Sequence, residues 1–308
     1  MLVLGHESLG RVLEVGHAVG DGSRPGQLVV VTIRRPGDSA HDRIGRPDLS
    51  SDEVFIETGI SRAHGFLTHE VVADARYLVP VPEHLEAVAI LTEPLSCITK
   101  SVRQAHQSQA ARLALWEPRR ALVTGAGAIG LLATLALRLQ GLEVVTYGRR
   151  RGPYRNSRLL ERLGARYAAA AEADLAEVTR REGPFDLVFE GSGAAELLEP
   201  AVHALAPNGA LALFSVTPGR QPVNVDVAWL NQAVVLYNRL IVGSAAASWE
   251  DYAAAVETLA RAEAEAFTRG WLPELLTHRI DGLDAAAIAR HLAGGADGIK
   301  TTVEIGAG

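Results

Sequence analysis

The stretch 121–150, ALVTGAGAIGLLATLALRLQGLEVVTYGRR, constrains this chain more than any other part of it. A short apolar run, 121–124, leads directly into Gly125, Gly127 and Gly130, spaced Gly-x-Gly-x-x-Gly, and a long apolar helical stretch follows. Each glycine has a task in such a turn. Gly125 permits the tight turn out of the strand, Gly127 lets the backbone approach a pyrophosphate, and Gly130 lets the helix pack closely on the strand. Ala128 and Ile129 open the helix whose free N–H groups and positive dipole end face that pyrophosphate. A glycine triplet alone is a weak signal. In the order strand, turn, helix, strand it predicts a dinucleotide-binding unit.

The end of the second strand, 143–147, selects the cofactor. An NAD site places Asp or Glu there to accept from the ribose 2′-hydroxyl. Here the strand runs into Gly148, Arg149, Arg150 and Arg151, without an acid. Guanidinium forks bind a 2′-phosphate bidentately, so the sequence predicts NADP in preference to NAD. Arg149 and Arg150 hold the favoured positions. A charge run also serves as a solvated rim, and that reading stays open, most of all for Arg151.

With 308 residues, 48% hydrophobic and 21% charged, the chain can build the cores of two domains. A net charge of −6 and the lack of long basic runs argue against a nucleic-acid partner. Cys97 is the only cysteine, so no intrachain disulfide can form, which fits a reducing cytoplasm. The start, MLVLGHESLG, lacks the basic and long apolar regions of a signal peptide, and no stretch reads as a membrane span. Internal repeats are absent, and the alanine tracts 168–173 and 285–289 read as helix filling.

Around the nucleotide motif the pattern is alternating. Residues 1–35 read as β-rich, with strands at 12–15 and 28–33 separated by Gly16, Gly20, Gly22 and Pro25-Gly26. Residues 36–53 read as a surface loop, 71–81 as strand-like, and 85–110 as a helix broken near Glu93-Pro94. Further strands are predicted at 185–189, 210–216 (after the turn 207–209) and 240–243, with helices at 155–163 and 196–205. Strands alternating with helices give an α/β, doubly wound parallel sheet. An amphipathic helix at 249–267 and a tail strand at 298–305, which could return to the first domain, complete the pattern.

Several motifs carry a resemblance: GHESLGRV at 5–12 (GHE-x-x-G-x-V), RRPG at 34–37, GRPD at 45–48, ETGI at 57–60, HGF at 64–66 and EPLS at 93–96. YGRR at 147–150, LAPNG at 205–209 and IKT at 299–301 continue it. Together they resemble the zinc-dependent medium-chain dehydrogenase/reductase superfamily, closest to its microbial glucose 1-dehydrogenase branch. That resemblance implies a β-rich, GroES-like catalytic domain at 1–95 and 270–308 and a Rossmann NADP-binding domain at 96–269. It implies that His6 is a ligand of one catalytic zinc, and that Glu7 stands behind that ligand or exchanges with it. Glu93 is a further carboxylate at the metal, direct or through water, and Glu57 hydrogen-bonds or helps coordinate the sugar hydroxyls. Phe214, Ser215, Val216 and Asn238 line the nicotinamide side by family position, or serve as core and turn residues. Read without the resemblance, His6 is a structural histidine, Glu7 an acceptor of backbone N–H groups and Glu93 a helix-end acid.

The activity implied is zinc-assisted hydride transfer from C1 of an aldose, glucose first, to NADP (NAD possible), giving the lactone, in a crevice between the domains. The alternatives are a dehydrogenase of another polyol or secondary alcohol, or a non-catalytic NADP-binding protein. Relatives form homodimers or homotetramers, with 240–247 as the candidate contact here. Four departures from the family pattern add expectations. The family carries a zinc-ligand cysteine and a proton-relaying hydroxyl before GHE, whereas Met1 stands four residues before Gly5. The catalytic domain is thus expected to be N-terminally truncated and the chain poorly soluble, unless the start lies upstream. Cys97 replaces a usually apolar helical residue and is expected in the core, not as a ligand. Where the family holds a cysteine-bound structural zinc, this chain has Pro36, Ser39, Asp42 and Ser50, so no structural zinc is expected. Ser39 and Asp42 should make turns there and His41 should be solvated. Ser244-Ala245-Ala246-Ala247 lacks a sugar-contacting Asn found in some relatives, which keeps other substrates open.

Overall fold

In the computed structural model, which describes residues 1–20, 22–293 and 298–306, the chain divides into two units, Met1–Cys97 with Ala246–Gly308, and Ile98–Ala245. The first unit begins with short strands: β1 (Gly10–Arg11), β2 (Leu28–Val31), β3 (Arg34–Arg35), β4 (Ile56–Thr58), β5 (Arg62–Ala63) and β6 (Leu78–Pro80). They make two three-stranded sheets, ordered β1-β2-β6 and β3-β4-β5. β2 reads Leu-Val-Val-Val and is buried along its whole length, as a β-branched run covered on both faces should be. The expected strand 12–15 does not form. Val12 still exchanges backbone hydrogen bonds with Gln27 and Gly26, but Leu13 and Val15 are exposed. The expected strand 71–81 shortens to β6, because 71–72 are exposed and Ala75–Tyr77 make a 3-10 turn capped by the Asp74 side chain. The loop after β3 contains one short helix, α1 (Ala40–Arg43), and His41 is exposed on it.

Helix α2 (Thr92–Leu113) corrects the expected break at Glu93-Pro94. The interruption comes earlier, as the 3-10 turns Glu83–Leu85 and Ala89–Leu91. Pro94 falls in the first turn of α2, where a missing N–H costs no intrahelical bond.

The second unit is the alternating one: β7 (Arg120–Thr124), α3 (Ala128–Leu139), β8 (Glu143–Gly148), α4 (Arg155–Arg162), β9 (Arg166–Ala169), α5 (Leu175–Glu182) and β10 (Phe185–Glu190). It continues with α6 (Leu198–His203), β11 (Leu205–Leu213), α7 (Val227–Leu236) and β12 (Leu240–Gly243). The six strands are parallel, in the order β12-β11-β10-β7-β8-β9, with the chain reversing direction across the sheet between β7 and β10. This is the doubly wound sheet expected from the alternation. α3 is buried over almost its whole circumference, and each of its fully buried leucines contributes about 2 kcal/mol. Leu122, Val145, Val178, Phe185, Val188 and Leu211 belong to the core of this unit.

Three expectations change here. Ala168 and Ala169 lie in β9, paired with Tyr147 and Gly148, and not in a helix. The helix expected at 196–205 is confined to the 3-10 turn Ala195–Leu197 and α6. β11 starts at Leu205 and runs through Pro207-Asn208-Gly209 as an irregularity in its register with β10, so 214–216 lie beyond its end.

The chain returns to the first unit with α8 (Trp249–Ala264), β13 (Leu276–Asp281), α9 (Ala285–Ala293) and β14 (Lys300–Glu304). α8 is shorter than 249–267, since Glu265 is already extended. A capping box between Ser248 and Asp251 starts it, and Trp249 Nε1 donates to the Leu78 carbonyl of β6. These contacts place α8 in the first unit, although the expected boundary at 269/270 assigned it to the nucleotide domain. The tail strand is β14, parallel to β13. Residues 294–297 and 307–308 of the expected catalytic domain lie outside the described residues. No described helix is long and apolar enough to cross a membrane.

Candidate active site

The glycine turn ends β7 and starts α3. Gly125 has φ +93° and donates its N–H to the Tyr147 carbonyl at 2.8 Å. A Cβ at Gly130 would overlap the Gly125 carbonyl, so only glycine fits that close approach. Gly127, the N-cap of α3, is different: a Cβ there would meet no atom within 4 Å. The protein leaves open space in front of Gly127, beside the free N–H groups of Ala128 and Ile129. Gly148 is required by packing, because a Cβ would come within 2.8 Å of both Ala126 Cβ and the Tyr167 hydroxyl.

Beyond β8, Arg149 and Arg150 are exposed, and the Arg150 guanidinium lies 5.2 Å over the Tyr154 ring. Arg151 is ion-paired with Glu172 at 3.2 Å. Glu190 at the end of β10 was not singled out by the sequence reading. It is 4% exposed and accepts from Thr124 Oγ1 (3.1 Å), Ser192 N (2.9 Å), Gly193 N (3.1 Å) and the Ser192 hydroxyl. It ties the loops after β7 and β10 together at the carboxyl edge of the sheet. An acid between an apolar strand and a Gly-Ser-Gly turn was the available signal. Phe214 and Ser215 stand at the same edge, donating their N–H groups to the Glu190 carbonyl, and the Phe214 ring packs 5.1 Å from that of Phe189. Val216 is exposed. Asn238 is not at this edge. It precedes β12, whose Leu240 pairs with Ala210, so it sits at the amino edge. There, at φ +50°, its carbonyl accepts from Gln109 Nε2 at 2.9 Å, as a turn residue.

In the first unit, residues 3–5 are strapped to 64–67. Gly65, Phe66 and Leu67 donate N–H groups to the carbonyls of Val3, Gly5 and Leu4. Gly59 and Gly65 are glycines because a Cβ at either would strike the Gly5 carbonyl. Further along, Ser8 Oγ accepts from the Val31 N–H at 3.1 Å. Held between these anchors, His6 and Glu7 meet Glu93 from the first turn of α2. One ligand atom of each lies within 4.8 Å of the others. Glu93 is 8% exposed, and burial, reinforced by the charge of Glu7 and opposed by Lys300, pushes its carboxyl up to about 8. Glu7 is ion-paired with Lys300. Glu57 is gripped by the buried Arg34 guanidinium at 3.0 Å, which in turn lies 4.1 Å over the Phe55 ring.

Cys97 departs from expectation: it is half-buried, not core, and its thiol points at Glu93 Oε1, 3.7 Å away. The loop 36–50 behaves as its residue types suggest. Ser39 and Ser50 donate hydroxyls to Asp42 Oδ2 at 2.6 and 2.8 Å, and Ser39 caps α1.

An imidazole and two carboxylates, one of them almost fully buried, suit a divalent cation such as zinc. A cation would offset the burial, and with it the repulsion from Glu7, that drive Glu93 toward its protonated form. The residues present therefore fit a metal.

Known proteins point the same way. Residues 86–305 match the family profile described as Glucose dehydrogenase C-terminus, and residues 1–83 that of the Alcohol dehydrogenase GroES-like domain. The glucose 1-dehydrogenase of Methanocella arvoryzae is 34% identical over 308 residues, covering 99% of this chain and 84% of the relative. Glucose 1-dehydrogenase 2 of Vulcanisaeta moutnovskia is 37% identical over 310 residues, covering 99% and 82%. The structure of Haloferax mediterranei glucose dehydrogenase in complex with NADP, Zn and gluconolactone superposes with a TM-score of 0.86 at 29% identity, covering 98% of this chain and 82% of that one. The chain belongs to the glucose dehydrogenase family, an alcohol-dehydrogenase-type lineage that joins a GroES-like domain to a doubly wound nucleotide-binding sheet.

Proposed function

We propose that this protein oxidises glucose at C1 to the lactone, with NADP preferred as hydride acceptor and one zinc per chain. The observation that carries this reading is the His6–Glu7–Glu93 cluster in a chain whose full-length relatives are named glucose 1-dehydrogenase. His6 and Glu93 would hold the metal, which as a Lewis acid lowers the pKa of the sugar hydroxyl. Glu57, fixed by Arg34, accepts from sugar hydroxyls. The N–H groups at the start of α3 take the pyrophosphate, and the open space at Gly127 admits it. Arg149 and Arg150 grip the 2′-phosphate. Phe214 and Ser215 border the nicotinamide. The protein assembles as a homodimer or homotetramer.

The test is a panel of aldoses, polyols and secondary alcohols assayed with NADP and NAD, with zinc measured on the same sample. Glucose turnover, a higher kcat/KM with NADP and one zinc per chain are expected. Arg149→Asp with Arg150→Ser should raise the NADP KM roughly 10- to 100-fold, the worth of a charge-assisted contact, and leave NAD nearly unchanged. Equal losses for both cofactors remove the arginines from the phosphate site. Turnover of a polyol without glucose changes the substrate. NADP binding without turnover of any alcohol overturns the enzymatic reading.

A further inference from the structure

We infer that Lys300 is a positioning residue for the metal site: it holds the Glu7 carboxylate off the cation, so that His6 and Glu93 bind the ion and a coordination position stays free for the substrate hydroxyl. The inference rests on the metal-site reading above and goes beyond it. Three carboxylates share this part of the first unit, since Glu93 feels the charges of both Glu7 and Glu57. Two of them have a cation of their own. Glu57 is paired with Arg34 at 3.0 Å, and Glu7 with Lys300. Among the described residues the Glu93 carboxylate meets no cationic side chain, only the Cys97 thiol. Glu93 is thus the acid left for a metal ion. Glu7 is nevertheless close. One of its oxygens lies within 4.8 Å of the ligand atoms of His6 and Glu93, and two ligands of a tetrahedral zinc stand about 3.3 Å apart. A turn of the side chain would bring Glu7 onto the ion, and the Lys300 ammonium opposes that turn.

Both ends of this ion pair are anchored, although they lie 293 residues apart in the chain. Lys300 opens β14 opposite Leu276 of β13. The Thr277 hydroxyl accepts from the N–H groups of Ile299 at 2.8 Å and Lys300 at 3.3 Å, which fixes the backbone beneath the ammonium. On the other side, the strap at 3–5 and the Ser8 bond to Val31 hold the backbone on either side of Glu7. The two side chains are only 17% and 21% exposed, so removing one leaves the other charge poorly solvated. A Glu7 carboxylate without Lys300 would turn to the strongest cation within reach. The charge balance explains why the protein keeps the two apart. A divalent ion bound by one carboxylate keeps a net positive charge, and that charge lowers the pKa of a hydroxyl. A second carboxylate would cancel the charge and fill a position the substrate needs.

The experiment titrates the metal-free full chain and three variants with Co(II), reading affinity and visible absorption, which responds to the ligand set. Lys300→Met keeps the apolar stem and removes the charge. It should tighten Co(II) at least ~10-fold and alter the absorption, because Glu7 joins the ion. Lys300→Arg should match the parent in both readings. Lys300→Met with Glu7→Gln removes both charges at once and should also match the parent, since neither residue then acts on the ion. Tighter binding by Lys300→Met with the parent absorption would be an effect of charge alone and overturns the proposal. Unchanged binding by Lys300→Met overturns it too. Should Lys300→Met fail to fold by circular dichroism, the double variant, which strands no charge, gives the answer. Parent-like absorption there supports the proposal, and altered absorption with an affinity at least ~10-fold weaker shows Glu7 already on the ion and overturns it. All these outcomes leave the metal site standing. Failure of the parent chain to bind Co(II), or binding that survives His6→Ala, overturns the metal site and the role of Lys300 together.

Discussion

Two glycines three residues apart separate folding from binding. At Gly130 a Cβ collides with the Gly125 carbonyl, whereas at Gly127 it meets nothing. Gly130→Ala must therefore shift backbone, at a cost of about 1–3 kcal/mol or more. It should lower the melting temperature whether or not nucleotide is present. Gly127→Ala should melt like the parent, since its Cβ meets no protein atom, and lose at least ~10-fold in NADP affinity if the proposed pyrophosphate site fills that space. Normal NADP binding by Gly127→Ala would mean that the pyrophosphate lies elsewhere. The triplet was legible because the chemistry dictates the residue type at each step. Asn238 was not, since only the register of β12 against β11 decides which edge a flanking residue reaches. Cys97 in mid-helix carries no periodic or turn signal, so its approach to Glu93 could be found only in three dimensions.

Among the elements, the loop around α1 stores its stability in one carboxylate. Burial raises the Asp42 pKa, but donors from Ser39, Ser50 and the backbone outweigh it and hold the group at about 2, below the usual carboxylate value. A depressed folded-state pKa means that the ionised form stabilises the loop. That contribution is complete above about pH 4 and disappears as pH falls toward about 2. Hydrogen exchange along residues 38–50 should keep its protection at pH 4 and lose it toward pH 2. With Ser39→Ala and Ser50→Ala the loss should move to higher pH, and an unmoved profile would remove the hydroxyls as its cause. At this scale the sequence was most readable where strands are continuous apolar runs, as in β10 and β12. It was least readable where pairing overrides propensity. Arg-Tyr-Ala-Ala becomes β9 because β8 offers it a ladder, and Pro-Asn-Gly survives inside β11 as an irregularity. Strands of two or three residues, such as β1, β3 and β5, are too short for any period to show.

At the scale of the whole molecule, the division of the chain was legible in kind but not in place. An amphipathic helix such as α8 reads identically in either unit, and only contacts such as Trp249 to Leu78 assign it. The ends of the six-stranded sheet are more informative. β9 is guarded by Arg166, ion-paired with Glu182 at 3.1 Å. β12, at the other end, reads Leu-Ile-Val-Gly without a charge, and Ile241 is exposed. Among the described residues it has a strand partner on one side only, and Leu236 and Tyr237 just before it are exposed as well. An uncharged, open edge of this kind is a template for pairing, and soluble proteins cover it. A second copy of the chain, adding its own β12, would cover it without any other component. Sedimentation equilibrium should then give a dimer or a multiple of one. Ile241→Lys, which places like charges opposite each other across the paired edge, should shift the population to monomer while NADP binding persists. A monomeric parent protein at micromolar concentration would leave the edge to some other cover, and an Ile241→Lys variant that stays dimeric would move the contact away from β12.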